Sequence, residues 1–190
     1  MIFKILQIGD KRLFQTAKAV TELKSTRIQQ LITDLLDTCM KGEKFTAGLA
    51  APQVGQHLRI SVIRRVDLEE KNVKPEELWE VLINPRIINQ DKKEETLMWE
   101  GCLSVGVGKK MLYGPVYRPN FVEIEYEDRA GQTKRLAGTD YLSHVVQHEI
   151  DHLNGVLFIS KVNNPENNLW AIKELDKYIK KNNRYPEVIE

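Results

Sequence analysis

Between Thr139 and Asn154 apolar residues recur at helical spacing: Leu142, Val145, Val146, Ile150 and Leu153, with Gly155 as a terminator. The same segment carries His144, His148, Glu149 and His152. Such a helix must bury one face in a core while another holds a cluster of titratable side chains, so the rest of the chain has to wrap around it. A helix turns about 100° per residue, which sets His148 and His152 about 40° apart and about 6 Å apart along the axis. Two imidazoles at that spacing can reach one metal ion, and Glu149 between them can approach a water bound to it. His144 and His152 lie about 12 Å apart along the axis, too far to share an ion. Of the neighbouring pairs, only 148/152 has a carboxylate directly after its first histidine. His144 is then a pocket wall or a support for the ligands.

The surroundings read as an α+β fold, antiparallel sheets packed around this central metal-binding helix, with a further helix at the C-terminus. Ile28, Leu31, Ile32, Leu35, Leu36, Cys39 and Met40 predict a helix from Ser25, the N-cap, to Gly42, its stop. Cys39 falls on its apolar face and needs no chemical role. Leu58, Ile60 and Val62, the run 78–83, and Val122, Ile124 and Tyr126 read as strands. Asp128-Arg129-Ala130-Gly131 turns the last of these into 132–136 as a hairpin. The charged stretch 67–77, with Pro75, reads as a solvated loop or short surface helix. A final helix is expected over about 165–182, with Asn164 as N-cap, Pro165 at its first position and Leu169, Ile172, Leu175, Tyr178 and Ile179 on one face.

The 190 residues suit a single catalytic domain, 1–190, without disulfide staples. Lys plus Arg is 28 and Asp plus Glu 27, a net charge of +1. That balance argues against direct nucleic-acid binding and gives no reason to sit on an anionic membrane. No apolar run approaches the roughly 20 residues of a membrane span. Lys4 and Gly9-Asp10 interrupt the N-terminus before a signal-type core develops. Cys39 and Cys102 are expected as reduced thiols in a cytoplasmic protein.

A catalytic metal site keeps three protein ligands and an open position. No histidine follows His152, and Phe158 stands where an extended form of the motif has one. Glu166 and Glu174 downstream and Cys102 upstream are the candidates for the third ligand. Three segments together resemble the peptide deformylase family: Gly48-Leu49-Ala50-Ala51-Pro52-Gln53, Glu100-Gly101-Cys102-Leu103-Ser104 and His148-Glu149-Ile150-Asp151-His152-Leu153. They stand in that family's order, and the similarity extends from the N-terminus to about Val162.

The resemblance implies that Cys102, His148 and His152 hold one divalent metal with water as fourth ligand. The metal it implies is Fe(2+), with Zn(2+), Ni(2+) or Co(2+) accepted. It implies hydrolysis of the N-formyl group from the initiator methionine of new polypeptides, releasing formate. Glu149 would serve as base and then as proton donor to the departing amine, while the Gln53 amide and the Leu103 backbone N–H would stabilise the oxyanion. Gly48 would let a substrate backbone approach, as an added strand. Arg118 would pair with Glu100. N-formylmethionyl nascent chains are the implied partners, with a transient ribosome contact through the C-terminal helix.

The chain departs from the family's pattern at Thr46, at Ala47, and at Val105-Gly106 after the second motif. Ala47, Met98, Tyr141, His144 and Val145 would line the pocket for the first substrate side chain. A tyrosine and a histidine are unusual in a methionine pocket, and His144→Ile is expected to sharpen a methionine-like preference. Two other readings are open: a zinc peptidase with Glu174 as third ligand, and a non-catalytic metal-binding or ribosome-associated module on the same scaffold.

Overall fold

Helix α2 (Asp140–Leu153) buries residues almost all round: Leu142, Val145, Val146, Ile150 and Leu153, and also His144, Gln147, Glu149 and His152. In the computed structural model, which describes residues 1–41, 46–68 and 73–190, it touches both sheets of an α+β fold. One is a five-stranded antiparallel sheet with order β1-β2-β3-β6-β7: β1 Gly48–Ala50, β2 Ile60–Arg64, β3 Trp79–Gln90, β6 Phe121–Glu127 and β7 Thr133–Thr139. The other holds β4 (Glu95–Gly101), β5 (Leu112–Pro119) and β8 (Trp170–Ala171), in that order.

The large sheet is covered on both faces, and strand alternation decides which side chain goes where. Ile60, Val62, Val81 and Ile83 join α1 (Thr26–Lys41) through Ile28, Leu31, Ile32 and Leu35. Ile63, Leu82, Val122 and Ile124 point the other way, to α2. Side chains of period two thus feed two cores from one strand. Cys39 lies in the α1 core, where burial pushes its thiol well up, as befits an inert residue. Met40, at the end of the expected stripe, is exposed. The Ile28 amide donates to Ser25 Oγ at 3.4 Å, and Gly42 lies outside the described residues.

The hairpin over β6 and β7 forms in the expected register. Asp128 closes its turn, its carboxylate accepting from the amides of Ala130 (2.8 Å) and Gln132 (2.9 Å). The charged stretch after β2 forms 3-10 turns at Val66–Leu68 and Pro75–Leu78 around residues 69–72, which lie outside the described residues.

Two expectations change. The strands β4 and β5 were not foreseen, yet they carry one wall of the site. The C-terminal helix is not continuous from Pro165. A short turn, α3 (Pro165–Asn168), ends at Leu169 in extended backbone, β8 follows, and α4 (Ile172–Asn182) completes the segment. The helical spacing is real, but Trp170 and Ala171 pair with Tyr113 and Leu112 of β5. Buried Asn168 also donates to the Ile189 carbonyl (2.8 Å) and accepts from its amide (3.0 Å). Strand and tail bonds at these residues outcompete one more helical turn.

Candidate metal centre and pocket

Three elements converge beside α2. Helix α2 brings His148, Glu149 and His152, the end of β4 brings Cys102, and the 3-10 turn Ala51–Val54 after β1 brings Gln53. One ligand atom each from Cys102, His148 and His152 lies within 4.8 Å of the other two. His152 Nε2 is 3.3 Å from Cys102 Sγ. The sulfur also accepts from the Ser104 amide (3.4 Å) and from Gln53 Nε2 (3.5 Å). Gln53 is held by its other end, its Oε1 accepting from the Ala50 amide at 2.8 Å.

Glu100 organises the far side of the site. Its Oε1 accepts from Arg118 Nε (2.6 Å) and its Oε2 from Arg118 Nη2 (3.0 Å), the expected pair in a fork. His148 Nδ1 donates to Oε2 at 2.9 Å. A ring that donates from Nδ1 leaves Nε2 for a cation. Arg118 Nη1 also donates to Asp151 (2.7 Å). Burial opposes the Glu100 charge, but the bonds from His144, His148 and Arg118 prevail and hold its carboxyl well below the usual range.

Glu149 is the opposite case. It is buried, and its Oε2 has no hydrogen-bond partner among the described residues. Burial pushes its carboxyl up to about 7. A soft sulfur donor, two imidazoles and a buried carboxylate with one unpartnered oxygen beside them fit a divalent metal with a reactive water.

The remaining candidates fall around one cavity. Ala47, Gly48, Met98, Tyr141, His144 and Val145 line it together with Gln53, Leu103, Cys102, His148 and Glu149. Trp99, Met111 and Tyr113 line it as well and were not anticipated, because they stand on or beside the unforeseen strands β4 and β5. Gly101 was the available signal: a Cβ there would lie 2.6 Å from Cε1 of the Tyr113 ring.

Gly48 has a second reason to lack a side chain. A Cβ at this position would fall 2.8 Å from both Cγ and Cδ of Glu149, so the glycine makes room for that carboxylate. Gly48→Ala is therefore expected to displace Glu149 and lower turnover about 100-fold. Metal content should not change, and a variant with wild-type turnover would show that Glu149 has other room. The departure at Gly106 has a backbone cause. Its φ is +91°, and a Cβ would come within 2.8 Å of Met111 Cα.

The sequence profile of the polypeptide deformylase family matches residues 2–168. The chain belongs to the peptide deformylase family. It is 44% identical to the peptide deformylase of Microchaete diplosiphon over 170 residues, 90% of this chain and 82% of that one. The structure of a peptide deformylase from Legionella pneumophila superposes with TM-score 0.72 at 35% identity, covering 98% of this chain and all of the other. That of Acinetobacter baumannii bound to Met-Ala-Ser superposes with TM-score 0.72 at 30% identity, covering 85% and 99%.

A peptide deformylase is a metal-dependent hydrolase that removes the N-formyl group from new polypeptides, and the zinc-peptidase and non-catalytic readings are not favoured. Glu174 stands on α4 with its side chain 56% exposed, near Lys177, and Glu166 is exposed too. Among the described residues, Cys102, His148 and His152 are the group of metal-ligating side chains that converges. No helix among the described residues is long and apolar enough to cross a membrane.

Proposed function

We propose that Cys102, His148 and His152 hold one divalent cation, Fe(2+) by family resemblance, with Zn(2+), Ni(2+) or Co(2+) as substitutes. When bound, such an ion acts as a Lewis acid and makes water a nucleophile near neutral pH. Glu149 takes the proton from the attacking water and delivers it to the departing amine, releasing formate and a free N-terminus. Gln53 Nε2 and the Leu103 backbone N–H donate to the formyl oxygen as it gains charge. The first side chain of the substrate enters the cavity between Ala47, Met98, Tyr141, His144 and Val145. Strand β1 is at the edge of its sheet and Gly48 lines the cavity, so a formyl-peptide can lie along it as a further strand.

The observation that carries this reading is the buried Glu149 carboxylate, its Oε2 without a hydrogen-bond partner among the described residues, in the same cavity as Cys102 and His148. The test is formate release from formyl-Met peptides under anaerobic conditions with added Fe(2+). Absence of release with Fe(2+), Ni(2+), Co(2+) and Zn(2+) alike would refute it. Metal analysis separates the ligand sets: Cys102→Ser should lose the ion and Glu174→Gln should keep it. The reverse pattern would restore the peptidase reading.

The setting is a cytoplasmic one, with nascent chains as substrate and a transient ribosome contact through α4. Lys173, Lys177, Lys180 and Lys181 stand exposed on that helix. Lys180→Glu with Lys181→Glu should weaken co-sedimentation with ribosomes several-fold at low salt. Unchanged co-sedimentation removes α4 from the reading.

A further inference from the structure

Glu100 has more donors than an arginine and one ligand histidine. His144, one turn before His148 on α2, directs Nδ1 to Glu100 Oε1 at 3.0 Å. Its Nε2 lies 3.0 Å from the hydroxyl of Thr96 on β4, which also donates to Asn120 Oδ1 at 3.4 Å. The ring is 2% exposed. A carboxylate only accepts, so His144 donates from Nδ1, while its Nε2 shares a hydrogen bond with the Thr96 hydroxyl. With both nitrogens engaged, the ring turns only carbon toward the cavity. A histidine in this pocket wall is thus compatible with an apolar substrate side chain.

We infer that His144, clamped by Thr96, is a positioning residue that fixes Glu100 and through it the ring of His148. The inference rests on the ligand set proposed above. Each Glu100 oxygen accepts from one Arg118 nitrogen and one histidine, so the two imidazoles balance each other across the carboxylate. Arg118 cannot do this alone, because its third nitrogen is directed to Asp151. Without the His144 donor, Oε1 keeps only Arg118 Nε. The Arg118 fork then holds the carboxylate without the counterpart to His148, and the His148 ring is less firmly oriented. Partners that orient metal ligands in this way typically change metal affinity or activity 10–100-fold when removed.

The experiment measures Ni(2+) retention in competition with a chelator, with thermal unfolding of the metal-free protein as control. His144→Leu should bind Ni(2+) about 10–100-fold more weakly. His144→Asn carries an amide N–H near the position of Nδ1 and should recover most of that loss. Thr96→Val leaves His144 in place and tests the same chain of bonds should His144→Leu fail to fold. It should weaken retention about 3–10-fold, and the Thr96→Val, His144→Leu double variant should be no worse than His144→Leu alone. In the Ni(2+)-loaded protein the loss should fall on kcat rather than KM. Tight wild-type binding that His144→Leu and Thr96→Val leave unchanged overturns this inference alone. A role confined to the pocket wall would instead alter the ranking of first-residue side chains with Ni(2+) retention intact, and that result also overturns it. A wild-type chain that takes up no Ni(2+) overturns the ligand set and this inference together.

Discussion

Glu149→Gln is expected to lower kcat/KM about a thousandfold while the metal content stays at the wild-type level. The amide has nearly the carboxylate's shape, so it fits the space that Gly48 leaves open. It cannot take a proton from water or return one to the leaving amine. Positioned acid–base groups contribute about 10²–10⁴ in rate, and a thousandfold loss corresponds to about 4 kcal/mol in the barrier. The carboxylate is buried, and its Oε2 lacks a hydrogen-bond partner among the described residues, so that oxygen is not held by a structural bond. Steady-state rates beside metal analysis of the same samples check the expectation. Activity within tenfold of wild type, with metal retained, would remove Glu149 from the proton path.

The second large effect concerns stability. Arg118 is 2% exposed and joins Glu100 to Asp151. Arg118→Met would fill similar volume but leave two carboxylates short of their cation. Breaking a buried pair by removing one partner costs about 3–5 kcal/mol. Among the described residues, Asp151 would keep only Lys161 as a cation, 3.4 Å away and 38% exposed. For a chain of this size the loss corresponds to a fall in Tm on the order of ten degrees. Arg118→Lys should recover little, since an ammonium cannot make the forked contact. Calorimetry of the metal-free proteins gives the comparison, and a Tm within two degrees of wild type for Arg118→Met would contradict the account.

The ligand helix was readable because its signals are local. His144, His148, Glu149 and His152 share sixteen positions with five apolar residues, and one turn of helix sets their spacing. The third ligand was not readable from spacing alone, since Glu166, Glu174 and Cys102 all remained open until the family resemblance chose Cys102. Its approach depends on β4, where outward Leu97 obscures the alternation that marks a half-buried strand. On β5, Gly114, Pro115 and Pro119 read as turn residues, although each pairs across to β4. The contact between Gly48 and Glu149 was hidden for a similar reason. A missing side chain can serve whatever lies opposite, and only the fold places Glu149 there. At His144 the residue type suggested a polar patch in the pocket, but Thr96 and Glu100, remote in sequence, occupy both of its nitrogens.

The two-residue strand β8 has a consequence for shortened forms of the protein. It seals the outer side of β5 at Leu112 and Tyr113, and Tyr113 in turn fills the gap above Gly101. A truncation ending near Asn168 keeps every ligand of the proposed metal centre. It would nonetheless leave unsatisfied main-chain amides and carbonyls beside the catalytic cleft, an invitation for two molecules to zip together there.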